Sequence, residues 1–313
     1  MKIVVLDGFA ANPGDISWEP MRALGELTVY ERTAPEEVDA RIADAEAVLT
    51  NKVVITGEMM ARKPELRYIG VLATGYNVVD TQAAKARGIV VTNIPAYSTA
   101  SVAQHVFALL LELCLHVGHH SDAVHRGRWT NSRDFCFWDT PLIELDGKTM
   151  GIVGYGRIGH AVERVARAFG MKIRICSGHA TGPDVAPLDT VLAESDVVSL
   201  HCPLTKDNAG LMSGETIAKM KDGAILINTA RGGLVNEADV RAALESGKLG
   251  GFAADVAGKE PIPADSPLLG APNCVLTPHI AWAPKEARQR LMDIAVSNLA
   301  AWQGGNPVNN VAK

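Results

Sequence analysis

The sequence has no dense Lys/Arg block, no apolar run long enough to span a bilayer and no CxxC pair, and each absence removes a class of function. With 30 Lys and Arg against 35 Asp and Glu, the formal net charge is −5 and the pI about 6.0. A chain of that balance carries no electrostatic footprint for nucleic acid or an anionic membrane. The longest strongly apolar stretch, Val106 to Leu115, is interrupted by Glu112 and is far shorter than the ~20 residues needed to cross a bilayer. The opening KIVVLDGF has one basic residue and a short apolar run ending in Asp7, unlike a signal peptide, so a cytoplasmic location is expected. Cys114, Cys136, Cys176, Cys202 and Cys274 are scattered and odd in number, which fits reduced thiols. There is no internal sequence repeat and no low-complexity tract.

What is present is a chain of 313 residues, 47% hydrophobic and 21% charged, enough for roughly two domains at about 150 residues each. From residue 1 to about 95, the β-branched runs KIVVLD, LTVYE, AVLTN, LRYIGVLA and IVVTNI alternate with helical stretches such as PEEVDARIADA and DTQAAKARG. Strands spaced by helices predict βαβ units and a parallel sheet. Ser98 to His119 predicts one long helix, apolar nearly all round through Val102, Val106, Leu109, Leu110 and Leu113, and hence buried on several sides. From Lys148 a second alternating series predicts six strands: KTMGIVG, MKIRIC, DVVSLHC, AILINTA, GFAADV and CVLTPH. Asn236 is placed to cap the helix NEADVRAALESGK, and a long terminal helix from Lys285 to Gln303 ends at Gly304-Gly305. A late helix of this kind often crosses back to the first domain.

Gly154-Tyr155-Gly156-Arg157-Ile158-Gly159 fits GxGxxG, a weak signal alone that gains weight because it follows the strand TMGIV and opens a helix. In that setting Gly154 permits the tight turn, Gly156 lets backbone approach a pyrophosphate, and Gly159 allows close helix–sheet packing. The helix start, from Arg157 and Ile158, offers free N–H groups and a positive dipole end. An ordinary βα turn is the bland alternative. The acidic residue expected about 20 positions on, to bind ribose hydroxyls, is missing: MKIRIC is followed by Ser177, Gly178, His179 and Ala180. Ser177 can serve a ribose or a 2′-phosphate, or simply a surface turn, so NAD and NADP both stay open.

Proton transfer coupled to reduction of a keto acid needs an acid–base group and a fixed cation. Arg231 follows the strand AILIN, Glu260 follows GFAADVAGK, and His279 follows CVL. Three such residues beyond strand carboxyl ends lie where open α/β sheets bind ligands, although any one of them alone reads as a surface or core residue.

These segments resemble the D-isomer-specific 2-hydroxyacid dehydrogenase family over the whole length, with GYGRIG, HCPLT, NTARGGLVNE, ADV…EP and PHIAW in the family's order. The resemblance implies an α/β chain of two Rossmann-like, doubly wound parallel-sheet domains with an inter-domain active-site cleft. Residues 1–97 plus 283–313 would form a flavodoxin-like substrate-binding domain, and 98–282 the dinucleotide-binding Rossmann domain. It implies Arg231 as the polarising residue, His279 as acid/base and Glu260 as its partner. Cys202, Pro203, Thr229 and Ala230 would join the cofactor contacts, and Asp255 would lie near the nicotinamide carboxamide. Thr74 and Gly75, in LATGYN, would present backbone N–H groups to the substrate carboxylate. Hinges are expected near Ala96 to Ser98 and Trp282 to Pro284.

Within the family, SVAQHVFALLLEL, DFCFWDTPLIEL and TPHIAWA look most like the glycerate dehydrogenase or hydroxypyruvate reductase branch, which makes hydroxypyruvate and glyoxylate the leading substrates. Another 2-keto acid, including that of a short phosphoglycerate dehydrogenase, is the alternative, as is a nicotinamide-responsive binding protein without turnover. Gln104 departs from the Glu usual in SVAEH segments. His116, His119, His120 and His125 have helical spacings that can in principle hold a metal, but a helix end explains them and the chemistry needs none. Core packing is the default for Phe135, Phe137 and Trp138, with Trp138 an alternative lid over substrate. A homodimer through the Ser98 to His119 helix and the neighbouring loop is expected, with no nucleic-acid or membrane partner.

Overall fold

The computed structural model describes residues 1–313, which divide into two compact units, Met1–Ser98 with Trp282–Lys313, and Thr99–Ala281. No single helix is long and apolar enough to cross a membrane.

The first unit holds strands β1 (Lys2–Val5), β2 (Glu26–Val29), β3 (Ala47–Thr50), β4 (Tyr68–Val71) and β5 (Val90–Thr92), all parallel, in the order β2-β1-β3-β4-β5. A parallel sheet covered on both faces wants continuous apolar runs rather than alternation. AVLT in β3 and YIGV in β4 are accordingly buried at every position. One face packs against the terminal helix Lys285–Gln303, whose Ala287, Leu291, Met292, Ala295 and Leu299 meet Ile3, Val5, Leu49 and Tyr68. The late helix therefore returns to the first unit, where Arg288 grips Asp15 through two 2.7 Å bonds.

The second unit contains β6 (Thr149–Val153), β7 (Lys172–Cys176), β8 (Val197–Leu200), β9 (Ala224–Asn228), β10 (Leu249–Ala254) and β11 (Cys274–Leu276), parallel in the order β11-β10-β9-β8-β6-β7. The six strands read from the sequence are all present. A single parallel bridge from Ile175 to Val185 extends the β7 edge by one residue pair, too little to leave a periodic signal. The chain leaves β6 for β7 on one side and reaches β8 on the other, which puts a topological switch point at the carboxyl end of β6. The helix Arg157–Ala168 buries Gly159, Ala161, Val162 and Ala166, a three- and four-residue spacing that sets one face on the sheet.

The long helix expected from Ser98 to His119 is instead two helices, Thr99–Leu115 and Val117–His125, bent by 58°. His116 takes the left-handed conformation, φ +48°, and the Glu112 carboxylate accepts the Gly118 N–H beyond the break. Apolar periodicity carries no information on the sign of φ, so it ran through the break. Asn236 caps Glu237–Glu245 as expected, accepting from the Ala238 and Asp239 amides.

The default of core packing for the aromatic segment is also corrected. Phe135 is 89% exposed and Trp138 62%, while Phe137 alone is covered, by the Arg128 guanidinium and the His120 ring. A run of aromatics joined to polar residues has no 2.0 or 3.6 period from which a buried face follows.

Candidate active site

Strands β9, β10 and β11 are neighbours in the sheet, so the loops at their carboxyl ends are neighbours too. That placement brings Arg231, Glu260 and His279 into one region although up to 48 residues separate them in sequence. The β9 loop is set from below by Asn228, 1% exposed, whose amide donates to the Arg231 carbonyl at 2.8 Å and whose Oδ1 accepts from the Ala230 N–H at 3.0 Å. Arg231 itself is exposed, with Nη1 donating to the Ala230 carbonyl at 2.6 Å and no carboxylate in ion-pairing range. Its guanidinium is thus a cation with donors to spare for a ligand.

Glu260 connects the next two loops. Its Oε1 accepts the Ala257 N–H at 3.2 Å and its Oε2 meets His279 Nδ1 at 2.7 Å. A carboxylate accepts only, so the Nδ1 of His279 carries the proton in this bond and the opposite nitrogen, Nε2, is left for another partner. His279 has φ +56°, a left-handed conformation that its surroundings must enforce. Asp255, 1% exposed, does so from behind the turn: Oδ1 accepts from Ile280 N–H at 2.8 Å and Oδ2 from Ala281 N–H at 2.8 Å. Burial opposes the Asp255 charge, but hydrogen bonds from His105, Thr277, Ala281 and Ile280 outweigh it and hold the carboxyl below its ordinary range.

On the other half of the sheet edge, the loop after β6 forms a cradle. Gly154 has φ +94°, and a Cβ there would sit 2.4 Å from the Cys202 nitrogen. A Cβ on Gly159 would lie 2.6 Å from the Gly154 carbonyl oxygen, whereas one on Gly156 would meet nothing within 4 Å. The turn and the helix packing thus require two of these glycines, while the third keeps open the space a ligand phosphate would enter. No side chain caps the helix that starts at Arg157, so the N–H groups of Arg157, Ile158 and Gly159 face outward with a favourable dipole. Thr229, after β9, has a buried hydroxyl oxygen with no partner in the chain. Open cradle, uncapped helix and orphaned hydroxyl together fit a dinucleotide.

Cys202 and Pro203 follow β8, with Cys202 half-buried and Pro203 exposed. Ser177, directly after β7, accepts the His179 N–H at 3.3 Å, a small side-chain turn with no carboxylate among residues 177–180. In the first unit, Thr74 and Gly75 lie in an exposed loop after β4. Thr74 Oγ1 donates to the Ile94 carbonyl at 2.9 Å, and the Gly75 N–H donates to no carbonyl of the chain.

The histidine group resolves into separate contacts. His119 Nε2 meets the Asp139 carboxylate at 2.5 Å, beside Arg128 at 2.6 Å, and His120 Nδ1 bonds the His116 carbonyl at 2.8 Å. The Arg128 hydrogen bond, joined by that of His119, keeps the Asp139 carboxyl well below its usual range. Sequence reasoning left out His105 and Asn228, which support the site's loops, and His201, which bonds the Ser199 hydroxyl of β8. Only their membership in the quoted motifs SVAQHV, NTARGG and HCPLT marked them.

Residues 107–281 match the model of the D-isomer specific 2-hydroxyacid dehydrogenase, NAD binding domain. Over 100% of this chain and of the relative, the sequence is 54% identical to a hydroxypyruvate reductase of Blautia hydrogenotrophica. It is 42% identical to a glycerate dehydrogenase of Methylorubrum extorquens, covering 91% of this chain and 92% of the relative. Among solved structures it resembles an NADPH-dependent glyoxylate/hydroxypyruvate reductase of Sinorhizobium meliloti in complex with NADP and malonate. That likeness has a TM-score of 0.82 and 30% identity, and covers 99% of this chain and 96% of the other.

Proposed function

Because the chain belongs to the D-isomer-specific 2-hydroxyacid dehydrogenase family, and is thus a nicotinamide-dependent oxidoreductase acting on the CH–OH group of 2-hydroxy acids, we propose that its reaction is reduction of hydroxypyruvate to D-glycerate, with glyoxylate to glycolate as a second activity. The observation that carries this reading is the 2.7 Å pairing of Glu260 with His279 beside an arginine that has no carboxylate of its own.

Gly154, Gly156, Arg157, Ile158 and Gly159 would hold the cofactor's pyrophosphate, and Ser177, Cys202, Pro203, Thr229, Ala230 and Asp255 would line the rest of its path. When bound, the reduced nicotinamide supplies a hydride to the keto carbon. Glu260 fixes the ring of His279 so that Nε2 gives a proton to the substrate oxygen as general acid. Arg231 polarises the same carbonyl and offsets the negative charge that develops on it. Thr74 and Gly75 are assigned to the substrate carboxylate, a role suited to a free backbone N–H. With no carboxylate among residues 177–180 to repel a 2′-phosphate, both NADH and NADPH are expected to serve.

A homodimer is the quaternary state we infer. It is supported by the exposed Trp129, Phe135, Trp138 and Leu142 in one loop, and by a groove of about 480 Å³ between the helices Thr99–Leu115 and Arg157–Ala168 lined by Ala100, Phe107, Leu111 and Val165.

The test mixes purified protein with hydroxypyruvate or glyoxylate and follows oxidation of NADH and NADPH in parallel, with His279→Ala as control. Turnover that falls by about 10²- to 10⁴-fold in the variant is the expected result. Turnover undiminished in His279→Ala would overturn the mechanism, and none with either substrate would overturn the substrate assignment in favour of a bulkier 2-keto acid.

A further inference from the structure

We propose that His105 is a positioning residue for His279, acting through Thr277 and the buried carboxylate of Asp255. The inference rests on the dehydrogenase reading for its kinetic consequence, but its structural content stands on the hydrogen bonds alone.

His279 occupies a left-handed conformation, and a residue with a side chain keeps such a φ only where neighbouring contacts over-determine it. The contacts converge on one carboxylate. Ahead of His279, the Thr277 hydroxyl donates to Asp255 Oδ1 at 2.6 Å; behind it, the Ile280 and Ala281 amides donate to Oδ1 and Oδ2 at 2.8 Å each. Asp255 therefore pins the chain on both sides of the residue whose ring meets Glu260. Any rotation of this carboxylate would tilt the turn and swing the ring.

His105 supplies the remaining constraint. Its Nε2 lies 2.9 Å from Thr277 Oγ1 and 3.4 Å from Asp255 Oδ1. The hydroxyl has one proton, already committed to Asp255, so toward His105 it can only accept, and His105 must donate from Nε2. The donor is carried by the helix Thr99–Leu115, whose Val106, Leu109 and Leu110 are buried in one cluster with Ile227 of β9 and Ala253 of β10. The anchor is thus a rigid helix seated on the same sheet, distant in sequence by 172 residues from the loop it steadies. His105 is 18% exposed in its side chain and bonds neither Glu260 nor Arg231, which is why its role is placement and not proton transfer.

The experiment compares His105→Leu and Thr277→Val, which remove the donor and the bridge, with His105→Gln and Thr277→Ser, which keep them. Each full-length protein is assayed for kcat and KM with hydroxypyruvate, and the ring nitrogens of nitrogen-15-labelled histidine are recorded, His279 being assigned by its loss in His279→Ala. The expected result is a kcat lower by about ten- to a hundredfold in the Leu and Val variants with KM changed less than about threefold. The His279 ring signals should shift or broaden in the same two variants, and the Gln and Ser variants should restore both. A His105→Leu protein with wild-type kcat and an unmoved His279 ring would overturn the proposal, as would equal losses in His105→Leu and His105→Gln. If His105→Leu does not fold, the Thr277→Val and Thr277→Ser pair gives the same decision. A wild-type protein that turns over no 2-keto acid would sink the functional reading alone, because the ring spectra report the anchoring independently.

Discussion

Gly232 lies so close to Ala257 that a Cβ on it would fall 2.0 Å from both the carbonyl carbon and the carbonyl oxygen of that residue. The loop that carries Arg231 is therefore seated directly on the loop that carries Glu260, whose Oε1 accepts from the same Ala257. Gly232→Ala must push the two loops apart, and since a displacement of about 1 Å at a reacting centre costs on the order of 10²-fold, turnover should drop by about that factor. Steady-state kinetics beside a thermal melt check this; a variant with unchanged kcat would show that the two loops need not touch.

The three cradle glycines should separate folding from binding. Gly154→Ala meets the Cys202 backbone at a positive φ, so it should lower the unfolding temperature as well as cofactor affinity. Gly156→Ala meets nothing within 4 Å, so it should melt close to wild type yet bind NADH at least tenfold more weakly, through the methyl group it places toward the phosphate. Calorimetric titration with NADH and NADPH distinguishes the two, and tight binding by Gly156→Ala would dissociate this loop from the cofactor.

Arg231 gives a test of geometry against charge. Arg231→Lys keeps one positive charge and loses the planar fork that can hold two oxygens at once. Its KM for hydroxypyruvate should rise at least tenfold and its kcat fall, with Arg231→Ala worse by a further one or two orders of magnitude. Equal activity of the Lys variant and the wild type would reduce the residue to a point charge.

Stability should carry an acid limb from His201, which follows β8 with Nε2 2.9 Å from the Ser199 hydroxyl. Burial pushes its pKa down from 6.5 to about 4, so the unfolded chain binds a proton there more readily than the folded one. The stabilisation is complete above pH 6.5 and is lost as the pH falls toward 4, a change on the order of 2 kcal/mol after allowance for partial exposure. His201→Gln, which keeps a polar group near Ser199 and cannot charge, should show a flatter fall between those two pH values in urea unfolding. Parallel curves for the two proteins would remove His201 from the acid limb.

The exposed aromatic loop predicts association. Phe135→Glu, at a position 89% exposed, should leave the melting of the chain near wild type while shifting sedimentation from dimer to monomer. Sedimentation of the wild type as a monomer would refute the dimer outright.

Much of this molecule is legible in its residue order alone. All five strands of the first sheet and all six of the second stand out as short, mostly apolar runs, and the inner strands AVLT, YIGV and VVSL have no exposed position, because strands buried on both faces admit little else. The Asn236 cap and the span Lys285–Gln303 follow from residue types whose local preferences agree with the fold. The break at His116 and the exposure of Phe135 and Trp138 were not legible, since neither a left-handed φ in a helical pattern nor the fate of an aperiodic aromatic segment is written in apolar spacing.

The sequence by itself determined the parallel α/β architecture, the glycine cradle and the candidacy of Arg231, Glu260 and His279, because each depends on which residue type ends a strand or starts a helix. Tertiary structure decided what those residues hold. That Glu260 Oε2 meets Nδ1 of His279, that Gly232 rides on Ala257, and that Asp255 pins the turn of His279 with His105 behind it are facts of strand order and loop packing. They join positions up to 172 residues apart, over which local preference has no reach and only the shared edge of one sheet supplies proximity.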